Sequence, residues 1–371
     1  MTSRRARSRL IRPVEVVLLV LVAALGPAVL AVPTTPVPAS ASDQTGAKAV
    51  PVASGPLELG VNVFAMWRDW RSHDLLFDRV QESGSGWVRV DLSWCDLEPQ
   101  GPGQVEPEAQ GRLDEVVDGL AQRELRPLIV ITCAPEWAGG TAAHPYPDDP
   151  AQFERVTRWL AERYRGRVAA WEIGNEPDCI GGCPRGSAEA YVPLLQAGYR
   201  GIKAADPTAT VVTGGTSGNN ARWTARMYAA GAHGFFDVLA VHPYVEPMTM
   251  PPDAPSEGKV YRLTSVSAVR AVMEQNGDGN KPIWFTEFGW TTGTTGPAEG
   301  VSEVTQAQYL QQAVELIRRD YPYVTRAFWY CLRDRDDLNP YENSFGLVHL
   351  DGSAKPAFAA LQAANQSLAG P

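Results

Sequence analysis

The sequence predicts an α/β fold, a single (β/α)8 or TIM barrel, on three observations. Segments with strand patterns alternate eight times with segments of helical periodicity. Several strands are continuous apolar runs, such as LIVI at 128–131 and AFWY at 327–330, which is typical of parallel strands buried on both faces. The alternative, an open doubly wound sheet, is disfavoured because no G-x-G-x-x-G motif follows the first strand.

The predicted elements follow one another from residue 57 to the C-terminus. Pro150 and Gly166 illustrate the helix signals, because they stand in the first turn and at the end of the third helix. The predicted strands cover residues 57–63, 86–94, 126–133, 167–175, 208–215, 235–244, 281–290 and 324–334. The predicted helices cover residues 73–84, 111–125, 149–166, 187–206, 221–234, 261–277, 302–320 and 355–368.

The N-terminus is typical of an export signal. An arginine-rich start precedes a long apolar run, and Ala39-Ser40-Ala41 provides a small-x-small cleavage site. We therefore predict a signal peptide at 1–41, a Pro/Ala/Ser-rich linker at 42–56 and one domain at 57–371, with the protein secreted or extracellular. Alternatively, the apolar run remains uncleaved as a membrane anchor, because its length approaches the span of a bilayer. Pro27 interrupts the run and favours cleavage.

Composition narrows the partners. The formal net charge of −9 argues against a nucleic-acid partner, which would require a basic face. The eleven tryptophans offer flat surfaces on which sugar rings stack, although core packing is the alternative use of these side chains. No membrane partner is expected once the signal is removed, and we expect a monomer.

Polar side chains collect at the C-terminal ends of the predicted strands, where a (β/α)8 barrel carries its chemistry. The fourth strand ends at Asn175 and Glu176, where Pro177 turns the chain away, and the seventh ends at Glu287. These two strands lie across a barrel from each other, so the two carboxylates face one another over a bound substrate. Paired carboxylates flanking a scissile bond are the requirement for glycoside hydrolysis.

Several motifs resemble a known group of enzymes. WEIGNEPD at 171–178 and FTEFGW at 285–290 look like the acid/base and nucleophile strands of the clan A glycoside hydrolases, which are retaining (β/α)8 enzymes. The resemblance covers about residues 56–371. VHPY, TCAPEWA and NSFGLVHLDGSAKPAFAAL are most similar to family 39, with family 5 the close alternative. Cys133 ends the third strand, where the family 5 pattern would favour His, and this favours family 39.

The resemblance implies roles for the matching residues. Glu176 is the acid/base and Glu287 the nucleophile of a retaining double displacement. Asn175 binds the sugar 2-hydroxyl, and Arg89 and Tyr244 hold the nucleophile ionised and oriented. The domain at 57–371 is then the catalytic domain of a secreted glycosidase that cleaves O-glycosidic bonds of a plant or microbial glycan.

Three further residues are expected at the substrate. On the same resemblance His242 lies near the acid/base, and Trp329 forms the floor under the sugar. Trp290 is predicted to bind substrate as a stacking platform. Each has a structural alternative, because a histidine or tryptophan at a strand end can also be a packed core side chain.

The catalytic residues have structural alternatives too. Glu176 and Glu287 could be helix-capping or salt-bridged carboxylates, and Arg89 could pair only with Asp91 or Glu58. Two other functions also fit the pattern. A carbohydrate-binding barrel without catalysis would lose one carboxylate, yet both are present, and a transglycosylase would use the same covalent intermediate with a sugar acceptor.

The five cysteines suggest disulfides, as expected for an exported protein. Cys179 and Cys183 bracket a short loop after Glu176 and are predicted to form one bridge. Cys95 and Cys133 end neighbouring strands and could form a second, which would leave Cys331 free. The five histidines match neither H-x-H nor H-E-x-x-H, so we predict no metal site and no cofactor.

Overall fold

In a computed structural model, which describes residues 55–179 and 186–370, parallel strands form one curled sheet. The order of the strands is β5-β4-β3-β2-β1-β9-β8-β7-β6, and every pair is parallel. The strands are β1 (Glu58–Asn62), β2 (Trp87–Ser93), β3 (Arg126–Thr132), β4 (Ala170–Ile173), β5 (Thr210–Thr213), β6 (Thr216–Ser217), β7 (Leu239–His242), β8 (Ile283–Phe288) and β9 (Val324–Trp329).

Helices follow the strands, which confirms the predicted alternation. The two four-residue helices α2 and α9 were not predicted, because a single turn leaves no periodic pattern in a sequence. The helices are α1 (His73–Glu82), α2 (Trp94–Leu97), α3 (Pro107–Gln122), α4 (Pro150–Arg163), α5 (Ala188–Ala205), α6 (Ala221–Ala229), α7 (Val266–Gln275), α8 (Glu303–Asp320), α9 (Pro340–Asn343) and α10 (Pro356–Ala369).

The predicted strand 208–215 contains only β5, and a pair of glycines, Gly214 and Gly215, separates it from the short, unpredicted strand β6. A Cβ atom on Gly214 would lie 2.7 Å from the Ile173 carbonyl oxygen, and one on Gly215 would lie 2.3 Å from His242 Nε2. Only glycine permits this close approach. The two strands stand at opposite ends of the sheet order, and a bridge between Val212 and Val238 links β5 to the segment before β7.

The interior of the curled sheet is apolar at the N-terminal ends of its strands. A small cluster separate from the main core collects side chains from most strands, and three of its aromatic rings, Trp87, Trp284 and Phe328, pack edge-on or tilted against one another. The cluster consists of Trp87, Leu128, Ala170, Val212, Val238, Ala240, Trp284 and Phe328.

A polar layer lies one pleat further along the strands. Side chains two residues apart on a strand point to the same face. The residues two positions after members of the apolar cluster are therefore interior as well, and they include Arg89, Glu172, His242 and Thr286. All four are buried. The interior of the sheet thus has a polar layer next to an apolar layer.

The predicted signal peptide and residues 42–54 of the predicted linker lie outside the described residues. Within the described part of the chain, no helix combines the length and the apolar character needed to cross a bilayer.

Helices α4 and α5 cover β4 in very close contact. A Cβ atom on Gly198 of α5 would lie 2.8 Å from Ile173 Cδ1 of β4. One on Gly201 would lie 2.3 Å from Thr157 Oγ1 and 2.4 Å from the Glu154 carbonyl oxygen of α4. The two helices can therefore approach only because both positions lack a side chain.

We predict that Gly201→Ala destabilises the protein. The added methyl group has backbone in its way, and overpacking costs about 1–3 kcal/mol. Gly111→Ala is the matched control, since a Cβ atom at this position of α3 has nothing within 4 Å. Alanine there should be neutral or stabilise by up to about 1 kcal/mol. Urea unfolding of both variants measures the difference, and equal effects would contradict the α4–α5 packing.

Candidate active site

Arg89 of β2 is the centre of a buried hydrogen-bond network. Its Nε donates to Glu172 Oε2 at 2.7 Å, and its Nη1 donates to Glu287 Oε1 at 2.7 Å. The remaining donors reach Asn62 Oδ1 at 2.8 Å and Asn175 Oδ1 at 2.7 Å. One guanidinium thus connects strands β1, β4 and β8, and it holds the acceptor oxygen of Asn175 at the mouth of the sheet.

Glu287, on β8, is held in its ionised form. Tyr244 donates its hydroxyl proton to Glu287 Oε2 at 2.8 Å, while Arg89 occupies the other oxygen. Burial alone would raise the pKa of Glu287, but the charges of His242 and Arg89 and the hydrogen bonds from Tyr244 and Arg89 lower it. Burial and the charge of Glu287 raise the pKa of Tyr244 well above its usual range, so this phenol keeps its proton.

Glu176 follows β4 in a conformation unusual for a side chain of its size. Its φ of 43° lies in the left-handed region, and its N–H donates to the Gly215 carbonyl at 3.0 Å. The next turn is fixed by Asp178, which accepts from the Ser217 N–H at 2.8 Å and from Asn220 Nδ2 at 2.9 Å. A strained backbone conformation therefore places this carboxylate, and such strain is common at functional sites.

A chain of hydrogen bonds determines the protonation of His242. Glu172 Oε1 accepts from the Gly215 N–H at 3.1 Å and from the Thr286 hydroxyl at 3.0 Å. Because the Thr286 hydroxyl donates its hydrogen bond to Glu172, its oxygen can only accept from His242 Nε2, which is 3.1 Å away. His242 therefore carries a proton on Nε2.

The other ring nitrogen of His242 faces the two catalytic candidates. Nδ1 lies 3.1 Å from Glu176 Oε1 and 3.6 Å from Glu287 Oε2. Burial disfavours the charged ring, but the charge of Glu287 and the hydrogen bond and charge of Glu176 outweigh it and raise the pKa of His242. The environment of His242 therefore favours the charged ring more than burial alone would.

The two carboxylates lie close together. One side-chain oxygen or nitrogen atom from each of Glu176, His242 and Glu287 lies within 4.8 Å of the other two. A metal ion could be ligated at such spacing. However, both Glu287 oxygens already accept from Arg89 and Tyr244, and the buried guanidinium would repel a cation.

A pocket opens beside Glu176. Its walls come from the loop after β7, from the end of β9 and from α9. It is lined by Glu176, Ser217, Tyr244, Glu246, Met248, Tyr261, Tyr330, Tyr341, Glu342 and Phe345.

The structure brings most of the predicted site residues together, and their roles stay predictions. Arg89 does not bond to Glu58, which pairs instead with Arg126 and Arg326. Trp290 and Trp329 are fully buried, do not line this pocket, and donate their indole N–H groups to backbone carbonyls of Met250 and Phe345, respectively. A sugar could stack on either ring only if neighbouring side chains moved.

The cysteines follow the sequence in part. Cys95 and Cys133 form a disulfide between the ends of β2 and β3, and Cys331 is a buried free thiol. Cys179 is also disulfide-bonded. Cys183 lies outside the described residues, so the predicted Cys179–Cys183 bridge stays a prediction.

Sequence reasoning missed two groups of residues. Glu172 and Thr286 belong to the polar interior layer, and a charged residue inside the apolar run AWEI was a signal that a buried partner exists. Glu246 and Glu342 line the pocket from irregular segments. No sequence pattern predicts that Glu246 and Glu342 line the pocket, because their positions depend on the course of the loops.

Comparisons with known proteins agree with this geometry. A family model described as "Glycosyl hydrolase catalytic core" matches residues 173–360, just over half of the chain. The chain therefore belongs to the glycosyl hydrolase catalytic core family. It is 22% identical over 328 residues to a beta-xylosidase of Caldicellulosiruptor saccharolyticus, covering 80% of this chain and 65% of the relative.

Solved structures with the same fold include two glycoside hydrolases. A family 39 glycoside hydrolase from the gut symbiont Bacteroides cellulosilyticus WH2 has a TM-score of 0.71 and 26% identity, over 85% of this chain and 64% of that one. GH5_18 from Streptomyces cattleya, solved with GlcNAc, has a TM-score of 0.67 and 20% identity, over 86% and 82%. The chain spans less than two thirds of the beta-xylosidase and of the family 39 structure.

We predict that the double variant Cys95→Ala/Cys133→Ala is less stable than wild type. The disulfide joins residues 38 positions apart, and it restricts the unfolded chain. Loss of such a cross-link typically costs about 2–4 kcal/mol. Thermal unfolding without reductant measures the loss, and peptide mass mapping of the wild type should find the two cysteines linked. An unchanged melting temperature would contradict a stabilising bridge.

Proposed function

We propose that the protein is a retaining glycosidase that hydrolyses O-glycosidic bonds by double displacement. The observation that carries this proposal is the pair Glu176 and Glu287, which face each other across one histidine within 4.8 Å. Retaining enzymes require a carboxyl separation of about 5–5.5 Å, whereas inverting enzymes need roughly 6.5–9.5 Å to admit a water. The 4.8 Å limit applies to one oxygen of each carboxylate, and so close an approach supports the shorter separation and direct attack by a carboxylate.

Glu287 is the nucleophile in this proposal. Its lowered pKa keeps it ionised, and Arg89 and Tyr244 fix both of its oxygens. In the first step Glu287 bonds to the anomeric carbon while the bond to the leaving oxygen breaks.

Glu176 is the acid/base. In the first step it gives its proton to the leaving oxygen, and in the second it takes a proton from water, which attacks the glycosyl ester and regenerates Glu287. His242 Nδ1 supports both forms of Glu176, accepting from the acid when the ring is neutral and donating to the carboxylate when the ring is charged.

The finer architecture belongs to the same proposal. The Val212–Val238 bridge and the two-glycine connection between β5 and β6 support closure of the curled sheet into a (β/α)8 barrel. The catalytic domain would occupy 57–371 of a secreted protein whose signal peptide ends at Ala41. The similarity to a beta-xylosidase makes aryl β-xylosides the first substrates to assay, followed by other aryl β-glycosides and by polysaccharides.

We predict that the two carboxylate variants fail in different ways. Glu287→Ala should reduce turnover to background, because no covalent intermediate can form. Glu176→Ala should slow substrates with poor leaving groups by about 10²–10⁴-fold. It should spare the first step for activated aryl glycosides and regain turnover when azide replaces water. Stopped-flow and steady-state assays on a nitrophenyl glycoside separate these outcomes, and equal, azide-insensitive losses would contradict the assigned roles.

The stereochemistry provides an independent test. Proton NMR of the first-formed product should show the anomeric configuration of the substrate. An inverted product would refute double displacement even if both glutamates proved essential. Repeating the reaction with added acceptor sugars distinguishes hydrolysis from transglycosylation.

We predict that Thr286→Val moves the alkaline limb of the kcat/KM pH profile to lower pH. Without the hydroxyl, His242 Nε2–H loses its acceptor, so the ring can carry its proton on Nδ1 and donate to ionised Glu176. The acid form of Glu176 then loses a hydrogen-bond acceptor and is disfavoured. Thr286→Ser keeps the hydroxyl and should retain the wild-type profile. Identical profiles for Val and Ser would show that Thr286 only fills space.

A further inference from the structure

Two carboxylates that the proposed mechanism does not use line the pocket beside Glu176. Glu246 stands in the loop after β7, and Glu342 belongs to α9. Glu342 is only 7% exposed. Within the described residues, neither carboxylate takes part in a hydrogen bond or a salt bridge. Glu246 is half-buried. Buried polar groups in folded proteins almost always have partners, so the buried carboxylate of Glu342, which lines the pocket beside Glu246, points to a ligand.

The surroundings of these carboxylates are unfavourable to their negative charge. Burial raises the pKa of Glu246, and Arg262 offsets this only in part. Burial also raises the pKa of Glu342, which reaches about 7, since Arg335 lowers it while Glu176, Glu287 and Glu246 raise it further. A ligand that donates hydrogen bonds would relieve this cost, whereas a ligand with a negative charge would increase it.

The other side chains of the pocket have little positive charge to offer. Among the described residues that line it, none is Lys, Arg or His. Tyr244 already donates to Glu287, and Tyr330 faces Arg335 Nη1 at 3.3 Å. Tyr261 and Tyr341 add flat rings to the walls. The pocket therefore combines carboxylate acceptors with aromatic surfaces, which suits the hydroxyl edge and the C–H face of a sugar.

We propose that Glu246 and Glu342 form a sugar subsite that accepts hydrogen bonds from ring hydroxyl or ammonium groups and excludes uronic acids. The proposal rests on the glycosidase function and names its substrate class, namely neutral or amino sugars. A carboxylate on the sugar would enter a pocket lined by Glu176, Glu246 and Glu342, with no lining cation to pair with. Like-charge repulsion would then reject it.

The test compares three β-1,4-linked tetrasaccharides that share the gluco configuration. Cellotetraose is neutral, the tetramer of glucosamine is cationic and the tetramer of glucuronate is anionic. Calorimetry on the full chain carrying Glu287→Gln, which prevents turnover, measures their dissociation constants at a mildly acidic pH, where glucosamine is cationic, and again above pH 7, where Glu342 is ionised. Xylotetraose provides a second neutral probe without the 6-hydroxymethyl group.

We expect the neutral or cationic tetrasaccharide to bind at least about tenfold more tightly than the anionic one, since one charge-assisted hydrogen bond is worth about 1.5–3 kcal/mol. Adding Glu342→Gln or Glu246→Gln should weaken the favoured ligand about tenfold and narrow its advantage over the glucuronate. Glu315→Gln, at an exposed position of α8, is the matched control and should change nothing. Circular dichroism confirms that each variant is folded.

Two results would overturn the subsite. One is glucuronate binding as tightly as the other chains, and the other is no binding by any of the four probes at millimolar concentration. The order of the probes on the parent protein is informative even if a pocket variant fails to fold. Binding without cleavage by the active enzyme would refute the glycosidase proposal and leave the subsite intact. Cleavage with a preference for uronides would refute the subsite and leave the glycosidase proposal intact.

Discussion

The buried guanidinium of Arg89 is the interaction on which the site depends. It is bonded to two buried carboxylates, of which Glu172 has no role in the proposed reaction while Glu287 is the proposed nucleophile. Removing one partner of a buried ion pair costs about 3–5 kcal/mol, because the remaining charge is neither paired nor solvated. The Arg89–Glu287 ion pair therefore contributes both to the stability of the fold and to the placement of Glu287. If Glu287 moved away, Arg89 would lose an ion-pair partner in the core.

One cation does not neutralise two anions, and His242 is the ionisable group that lies beside Glu287 as well. Glu287 is the charge that does most to raise the pKa of His242. In the proposed mechanism Glu287 becomes a neutral ester after the first step, which removes this influence. His242 then binds a second proton less readily, and the negative charge that opposed ionisation of Glu176 is gone, so Glu176 can act as a base. In the proposed mechanism the charge of Glu287 thus influences Glu176 through His242, whose Nε2 is hydrogen-bonded to Thr286.

The sequence predicted the parallel alternation of strands and helices and the contacts of Arg89 and Tyr244 with Glu287, because strand-end motifs translate directly into positions at one mouth. It did not reveal Glu172 as the second partner of Arg89, since pairing across an interior depends on strand register. It also left Trp290 and Trp329 undecided between sugar platforms and core. Tryptophan has the same pattern in either role, and only the packing of neighbouring loops separates them.

The two-residue step between the apolar layer and the polar layer has a consequence for how such a protein can change over time. A one-residue insertion within β2, β4, β7 or β8 would turn an interior charge outward and an exterior side chain inward, so length is strictly constrained in these strands. The segments that carry Glu246 and Glu342 are under no such constraint. Chain length can vary there without altering the distance between the paired carboxylates. Descendants of this chain can therefore acquire new substrates by lengthening or shortening those segments while the reaction itself is inherited unchanged.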